Sequence, residues 1–451
     1  MSDLGAPVAA RVWRENLVER RLRREAWIAR ALDRLAAVVL VLTLLYVLIG
    51  ASPYSRGLNI DEATGATELS PVNRYAWLAL MAMSGPILLL RWRRAIEVSL
   101  AAWPVIAVFI WFGLTTGWAL DPAASHRRFI LYVVGLVICI AVAVGIEDRR
   151  RVLALMAGTG GFVMIVDAVS WAVAPGLSMT DIGLAAIHSH KNTLGAVALF
   201  SILACGAHTL VQTRPKGRFL WGGLTVLSLL LLVASLSKTS MIILAGVLVA
   251  APVLVFLARG RVGVMWSAAL AGFVLLLAAV FTWTAVNLAM GADPLGPFRT
   301  VTFTMRTDVW KFALGEFAAH PWRGLGFGSF WDIDPRLQPS LKADLWFAQP
   351  DAATNGSHNG YIDLMVTTGL IGLAGGVMLL FRWIGKGWAL VRVSGRGDAL
   401  PLFLAVFVVA VFVHNFMESS YFTANSLFGF LVLLAGVLIE AQPRGRAAEA
   451  R

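Results

Sequence analysis

Charge is what this sequence has least of. Only 14% of its 451 residues are Asp, Glu, Lys or Arg, against roughly 25% in a soluble domain, while 58% are hydrophobic and the mean hydropathy is +0.75. A soluble fold is excluded. Cysteine is almost absent: Cys139 and Cys205 both sit inside apolar runs, so there is no disulfide framework and no cysteine-based metal site, and no redox compartment can be read from them. Tyrosine is scarce at 6, whereas Trp, Phe and Gly number 17, 24 and 42. Indoles anchor membrane interfaces and glycines let helices approach closely. These proportions predict an all-α, polytopic integral membrane helix bundle.

A span needs about 20 apolar residues, and about a dozen stretches supply them. They run from Leu35 to Ala51, Ala76 to Leu90, Ala101 to Ala119, Phe129 to Ile146, Val152 to Ala174, Thr193 to Val211, Phe219 to Ala234, Met241 to Leu257, Val262 to Trp283, Tyr361 to Phe381, Leu400 to Val413 and Tyr421 to Ile439. Residues 1–34 carry eight arginines between Arg11 and Arg34 and are expected to be a cytoplasmic tail rather than a cleavable signal. With that tail inside, every second connection is rich in Lys and Arg, and 26 of the 38 basic residues fall on the cytoplasmic side, where residues 440–451 also end. The net charge of +12 therefore reads as membrane orientation, and no nucleic-acid partner is expected.

Twelve basic residues break the pattern: Arg56, Arg74, Arg127, Arg128, Lys191, Lys238, Arg299, Arg306, Lys311, Arg323, Arg336 and Lys342. Six of them lie in the one long connection, residues 284–360, which falls between the first nine spans (35–283) and the last three (361–439) and is too long for a turn. This extracytoplasmic loop is the expected functional segment. Within it Arg306 to Ala319 has helical periodicity and Pro321 stops it, and Gly324-Leu-Gly-Phe-Gly-Ser-Phe-Trp331 sets alternating glycines beside aromatics where the chain must bend.

The outer ends of the spans present Lys191 after the loop Asp181 to His190, Lys238 in the turn Ser235-Leu-Ser-Lys-Thr-Ser240, Arg306 at the head of the loop helix, and Ser357-His358-Asn359 at the foot of a span. If the bundle gathers these termini, a cationic site with one histidine results. Fixed cations clamp phosphoryl oxygens and stabilise a phosphate leaving group; a lone basic residue at a membrane edge is otherwise a snorkelling anchor. His358 suits a general base, or equally a loop histidine bonded to backbone. His188 and His190 form an isolated His-x-His, a poor metal signal. Asp332-Ile-Asp334 has an Asp-x-Asp form common by chance and belongs to a solvated loop. Asp167 lies inside a span, where an ionisable group costs about 2.5–3.5 kcal/mol and needs a partner or a cavity that the sequence does not name. His414, Asn415 and Glu418 stand in the last outer turn, where Glu418 supplies a carboxylate to the site or caps a helix end. Trp331 and Trp346 suit either sugar stacking or interfacial anchoring.

Four segments together resemble the superfamily of O-antigen ligases and Wzy-type polysaccharide polymerases, and within it the exopolysaccharide polymerases. They are His188-Ser-His-Lys-Asn-Thr-Leu-Gly195; Ser235 to Ser240; Thr304-Met-Arg-Thr-Asp-Val-Trp310 followed by His320-Pro-Trp-Arg-Gly-Leu-Gly-Phe-Gly328; and Ser357-His-Asn-Gly-Tyr-Ile-Asp-Leu364 with Gly369-Leu-Ile-Gly372. They cover about residues 185 to 375; outside them the likeness lies in hydropathy and in Asn415 to Ser419. The resemblance implies a glycosyltransferase of the bacterial inner membrane that uses a glycan on undecaprenyl diphosphate at the extracytoplasmic face, with inversion and with no cofactor or metal. By position it implies Arg306, Lys238, Lys191 and Arg128 around the diphosphate and His358 at the acceptor hydroxyl, with His190, Asn359 and Glu418 in support. Many members have arginine where this chain has Lys238; arginine grips phosphate bidentately and lysine acts as a point charge. A polymerase passes the glycan to another repeat unit and a ligase passes it to a lipid A core or other acceptor. The implied partners are the lipid-linked donor, a glycan acceptor and the bilayer, with a flippase and a chain-length copolymerase as candidates. A transporter or flippase shares the layout of about twelve spans, but it expects two related halves with charge at mid-membrane, which this sequence does not show.

Overall fold

The structure, a computed structural model, describes residues 8–55, 71–259, 306–349, 354, 356–395, 397–422 and 426–442. The expected ninth span Val262 to Trp283, Arg56, Arg299, the start of the long loop through Met305 and the tail after Gln442 lie outside the described residues.

The chain is a helical bundle. In order, its helices are α1 (Val8–Ile49), α2 (Pro71–Leu90), α3 (Trp92–Ala101), α4 (Trp103–Thr115), α5 (Pro122–Gly145), α6 (Arg149–Val173), α7 (Pro175–Ser178), α8 (Lys191–Leu210), α9 (Pro215–Ser235), α10 (Lys238–Arg259), α11 (Arg306–Ala319), α12 (Gly360–Val393), α13 (Leu400–His414) and α14 (Leu427–Glu440). The only strands among the described residues are two-residue pieces, Met179–Thr180 and Gly183–Leu184, paired antiparallel. Among the described residues seven helices are long and apolar enough to cross a membrane, and an eighth span results if α2 and α3 count as one. Three shorter apolar helices, Trp103–Trp118, Leu400–His414 and Leu427–Glu440, complete the apolar set among the described residues.

Several helices begin where a side chain satisfies the first free amides. Asp121 accepts from Ala124 N before α5, Asp148 from Arg150 N before α6, Asn359 from Tyr361 N and Ile362 N before α12, and Ser426 from Gly429 N before α14. The interior is closed by large side chains without exposure, among them Phe200, Phe407, Phe428 and Trp383. Trp383 lies flat on Gly436: a Cβ there would come within 2.3 Å of the indole, so only glycine lets α12 and α14 approach this closely. By contrast α9 and α10 turn most of their apolar surface outward, with Phe219 87% exposed, as membrane-facing helices do.

The boundaries depart from expectation in several places. The basic tail is helical among its described residues and continuous with the first span. The second span ends at Leu90 as expected, but the chain runs on past Arg91 as α3, bent by 103° from α2, with the Arg91 guanidinium held by Val144 O (3.0 Å), Gly145 O (3.4 Å), Ala29 O (3.3 Å) and Glu147 Oε1 (3.0 Å). Helix α12 continues to Val393 rather than ending at Phe381. The last span begins at Leu427, six residues later than its hydropathy suggests, since Tyr421 and Phe422 are buried in a turn. The loop helix α11, in contrast, ends at Ala319 as expected.

The long loop is built into the bundle rather than laid over it. α12 is interrupted at Gly369 (φ +71°), where a Cβ would meet Trp322 O at 2.1 Å. The loop supplies the hydrogen bonds the break frees: Leu325 N donates to Val366 O (2.9 Å), Gly326 N to Thr367 O (2.8 Å), and Leu370 N to Pro321 O (2.8 Å). Gly324 and Gly326 reach this position at positive φ, against Thr367 and Ala119 respectively, which explains the alternating glycines.

Candidate functional site

Three segments, joined by Arg306 from α11, meet at the end of the bundle that the charge pattern assigns to the outside. The first is the head of α8. His190 caps it, its Nδ1 accepting from Asn192 N at 3.1 Å. The Asn192 side chain reaches Glu418 Oε1 at 3.4 Å, and the half-buried Lys191 donates to Ile182 O at 3.1 Å. Gly195, one turn on, is pressed against the turn before α10: a Cβ would stand 2.5 Å from that of Ser237. This packing brings Lys238, exposed at the head of α10, beside the same helix.

The second segment is the turn into α12. Ser357 N is held by the Asp363 carboxylate (3.1 Å), Ser357 O accepts from the Trp310 indole (2.8 Å), and Ser357 Oγ donates to Asn359 O (2.8 Å). Between these fixed neighbours His358 adopts φ +53°, a conformation that costs a non-glycine residue about 1–3 kcal/mol and persists only where the surroundings impose it. The third segment is the turn after α13. Asn415 O accepts from Gly360 N (2.9 Å) and Asn415 Oδ1 from Ser420 N (3.2 Å) and Tyr421 N (2.9 Å), folding residues 415–421 tightly and presenting Glu418.

Glu418 is the hub. Its Oε2 accepts from His358 Nδ1 at 3.1 Å and its Oε1 from Arg306 Nη2 at 3.3 Å, while Arg306 Nη1 donates to Met417 O. Burial alone would push this carboxyl up. The hydrogen bond from His358 and the charges of His358, Arg306 and His414 outweigh it and hold Glu418 below its usual value. His190 is shifted down, first by burial and then by the charges of Lys191 and His358, with Glu418 opposing, so it is a neutral neighbour. Against a carboxylate the His358 Nδ1 must carry its proton, which leaves Nε2 on the side of the ring away from Glu418.

The structure thus brings Arg306, His358, Glu418, His190 and Asn192 together, with Lys191 next to His190, while Lys238 stands at the head of α10 and makes no hydrogen bond or ion pair with this group among the described residues. Arg128 is employed differently: its guanidinium donates to Gly328 O (2.6 Å), Trp331 O (2.8 Å) and Asp332 O, and pairs with Asp332 Oδ2 (3.4 Å), pinning the glycine-rich loop. Asn359 acts as the cap of α12. Trp331 is buried, with its indole N–H on Asp363 Oδ1 (2.8 Å), rather than offered to a sugar. His188 and His190 point to different tasks, since His188 Nε2 donates to Asp167 Oδ2 (3.1 Å) with both side chains fully buried; His188 is the partner that Asp167 required. Among the described residues no three His, Cys, Asp or Glu side chains gather as metal ligands. Asn192 and Asp363 escaped the sequence reading. A carboxylate in the first turn of an apolar span was the available signal for Asp363.

Fold and site together define a multi-pass membrane protein with a cationic, histidine-bearing site where a long loop joins the bundle. Residues 223–377, which contain Lys238, Arg306 and His358, match the family model described as O-antigen ligase. The chain is also 25% identical over 391 residues to the exopolysaccharide production protein ExoQ of Rhizobium meliloti (strain 1021), covering 83% of this chain and 86% of that protein. Both findings support the O-antigen ligase and Wzy-type polymerase superfamily for this chain.

Proposed function

We propose that this protein is an inverting membrane glycosyltransferase that polymerises undecaprenyl-diphosphate-linked oligosaccharide repeat units into exopolysaccharide on the extracytoplasmic face of a bacterial inner membrane, with both termini in the cytoplasm. The observation that carries the reading is the meeting of Arg306 and His358 on Glu418. His358 Nε2 takes the proton of the acceptor hydroxyl, and Glu418 stabilises the imidazolium that forms. The hydroxyl oxygen bonds to the anomeric carbon from the side opposite the diphosphate, the old carbon–oxygen bond breaks, and its electron pair leaves on the diphosphate. Arg306, Lys238 and Lys191 receive that charge. Of the five guanidinium N–H groups, Glu418 and Met417 O occupy two positions of Arg306, so donors remain for a phosphoryl oxygen.

The name of the matched family model favours a second reading, a ligase with the same chemistry and a different acceptor. Deleting the gene and sizing lipid-linked glycans beside exported polysaccharide separates the two. Loss of high-mass polymer while single repeat units persist on lipid is the expected result. Finished polymer stranded on its lipid carrier means ligase, and repeat units trapped on the cytoplasmic leaflet overturn the enzyme reading in favour of a flippase. Arg306→Ala is expected to abolish polymer with the protein still in the membrane; polymer of wild-type length from that strain removes Arg306 from the mechanism.

A further inference from the structure

Asp363 stands in the first turn of α12, five residues after the proposed base, and the chemistry above does not use it. No salt bridge reaches it among the described residues. Its partners are uncharged donors instead: the Trp331 indole on Oδ1 (2.8 Å) and the Ser357 amide shared between Oδ1 (3.1 Å) and Oδ2 (3.4 Å), with the hydroxyls of Ser419 and Ser357 close by. Gly356 closes over it, since a Cβ there would lie 3.4 Å from both Asp363 Oδ2 and Ser419 Oγ. One carboxylate therefore joins the glycine-rich loop, the turn that carries His358 and the turn that carries Glu418. A carboxylate held by uncharged donors, with no cation beside it, is placed by those donors and places them in return.

We infer that Asp363 is a positioning residue: by fixing the Ser357 peptide it keeps His358 in its left-handed conformation and its Nδ1 on Glu418. The inference rests on the reading of His358 as the base. Asparagine keeps the shape and one oxygen acceptor but turns an N–H₂ toward the remaining N–H donors, so it loosens the clasp without emptying the site. Released from its fixed neighbour, His358 relaxes to an ordinary φ and its ring leaves the carboxylate.

The test uses the full-length protein in lipid nanodiscs with a polyprenyl-diphosphate oligosaccharide as donor. Asp363→Asn is expected to lower kcat about 10- to 100-fold, a part of what a general base contributes, with KM for the donor little changed. Trp331→Phe, which removes one of the two clasped donors, moves kcat the same way by less. In a His358→Ala background Asp363→Asn should cost nothing further, because a residue that acts through His358 has nothing left to act on; an equal loss in both backgrounds, or a loss confined to KM, marks a merely structural role and overturns the inference. A second readout does not depend on turnover: the rate at which diethyl pyrocarbonate modifies His358, followed by mass spectrometry at one pH. Freeing the ring from its carboxylate should raise this rate in Asp363→Asn as it does in Glu418→Gln. If it rises while the wild-type protein transfers no glycan, the positioning stands and the functional reading falls. An unchanged rate sinks the positioning whatever the activity.

Discussion

Two carboxylates at opposite ends of the last helices are each held by two basic side chains, and the contrast between them separates scaffold from site. Glu440, at the foot of α14, is fully buried and accepts from Arg382 Nε (2.6 Å) and Nη2 (3.1 Å) and from Lys386. Glu418 is 18% exposed, its bonds to Arg306 and His358 are 3.3 and 3.1 Å, and the histidine ring is 46% exposed. In the first cluster the carboxylate is sealed and both donors are permanently charged side chains, Arg382 and Lys386, themselves 29% and 27% exposed. In the second the bonds are longer, one partner is a titratable ring, and solvent reaches it. A closed clasp suits a bundle that must not move, whereas a looser one can exchange a partner for a phosphoryl oxygen or a proton.

Substitutions that attack one cluster at a time sharpen this contrast. The largest effect is expected from His358→Ala: turnover of lipid-linked donor falls by roughly 10²–10⁴, with donor binding and thermal stability retained. If donor binding is lost as well, His358 belongs to the diphosphate pocket or to folding. Next comes Glu440→Ala, which leaves two cations facing a vacated buried position and is expected to cost about 3–5 kcal/mol. Thermal unfolding in detergent and the amount of protein reaching the membrane should both register it; an unfolding midpoint like the wild type's would break the comparison. Asn359→Ala removes the cap of α12 and is expected to cost about 1 kcal/mol, visible as a modest lowering of the same midpoint.

Acidification has the smallest expected effect. The folded-state value of Glu418 lies below that of the unfolded chain, so its contribution to stability is complete above the ordinary glutamate range and disappears as pH falls through the lowered value. His190 is also shifted down, so the unfolded chain takes up its proton first and stability declines as pH drops below about 6.5. A wild-type midpoint that falls between pH 7 and 5 more steeply than that of His190→Gln is the expected result, and parallel curves would discount the histidine.

The parts of this architecture visible in the sequence were those set by local pattern. α11 was legible because its apolar residues recur at helical spacing, Arg306 opens it and Pro321 ends it. Lys191, Lys238 and His358 could be picked out because each stands where an apolar run meets a connection, and Arg306 because it stands at the head of the periodic segment inside the long loop. What the pattern could not carry was partnership. That Glu418 gathers groups from α8, α11 and the turn before α12 depends on helix packing, and so does the pairing of Asp167 with His188 across 21 residues. The bend at Arg91 was invisible for the same reason: both flanking segments are helical in themselves, and the acceptors that hold the arginine come from α1, α5 and the segment just after α5. Arg128 looked like a rim cation because its sequence neighbourhood says nothing of the carbonyls of residues 328–332, which occupy its guanidinium.

The break at Gly369 bears on how loop and bundle come apart. Val366 and Thr367 receive amides from a segment forty residues away, so lifting that segment strips two carbonyls of a buried helix of their donors, in surroundings where water does not replace them. The amide hydrogens of Leu325 and Gly326 are thereby chemically part of α12, and they exchange with solvent only when the helix itself opens. The stretch of chain that looks most like a surface loop belongs to the cooperative unit of the membrane core, and the turn bearing His358, eleven residues before that break at the head of the same helix, is anchored in the same unit.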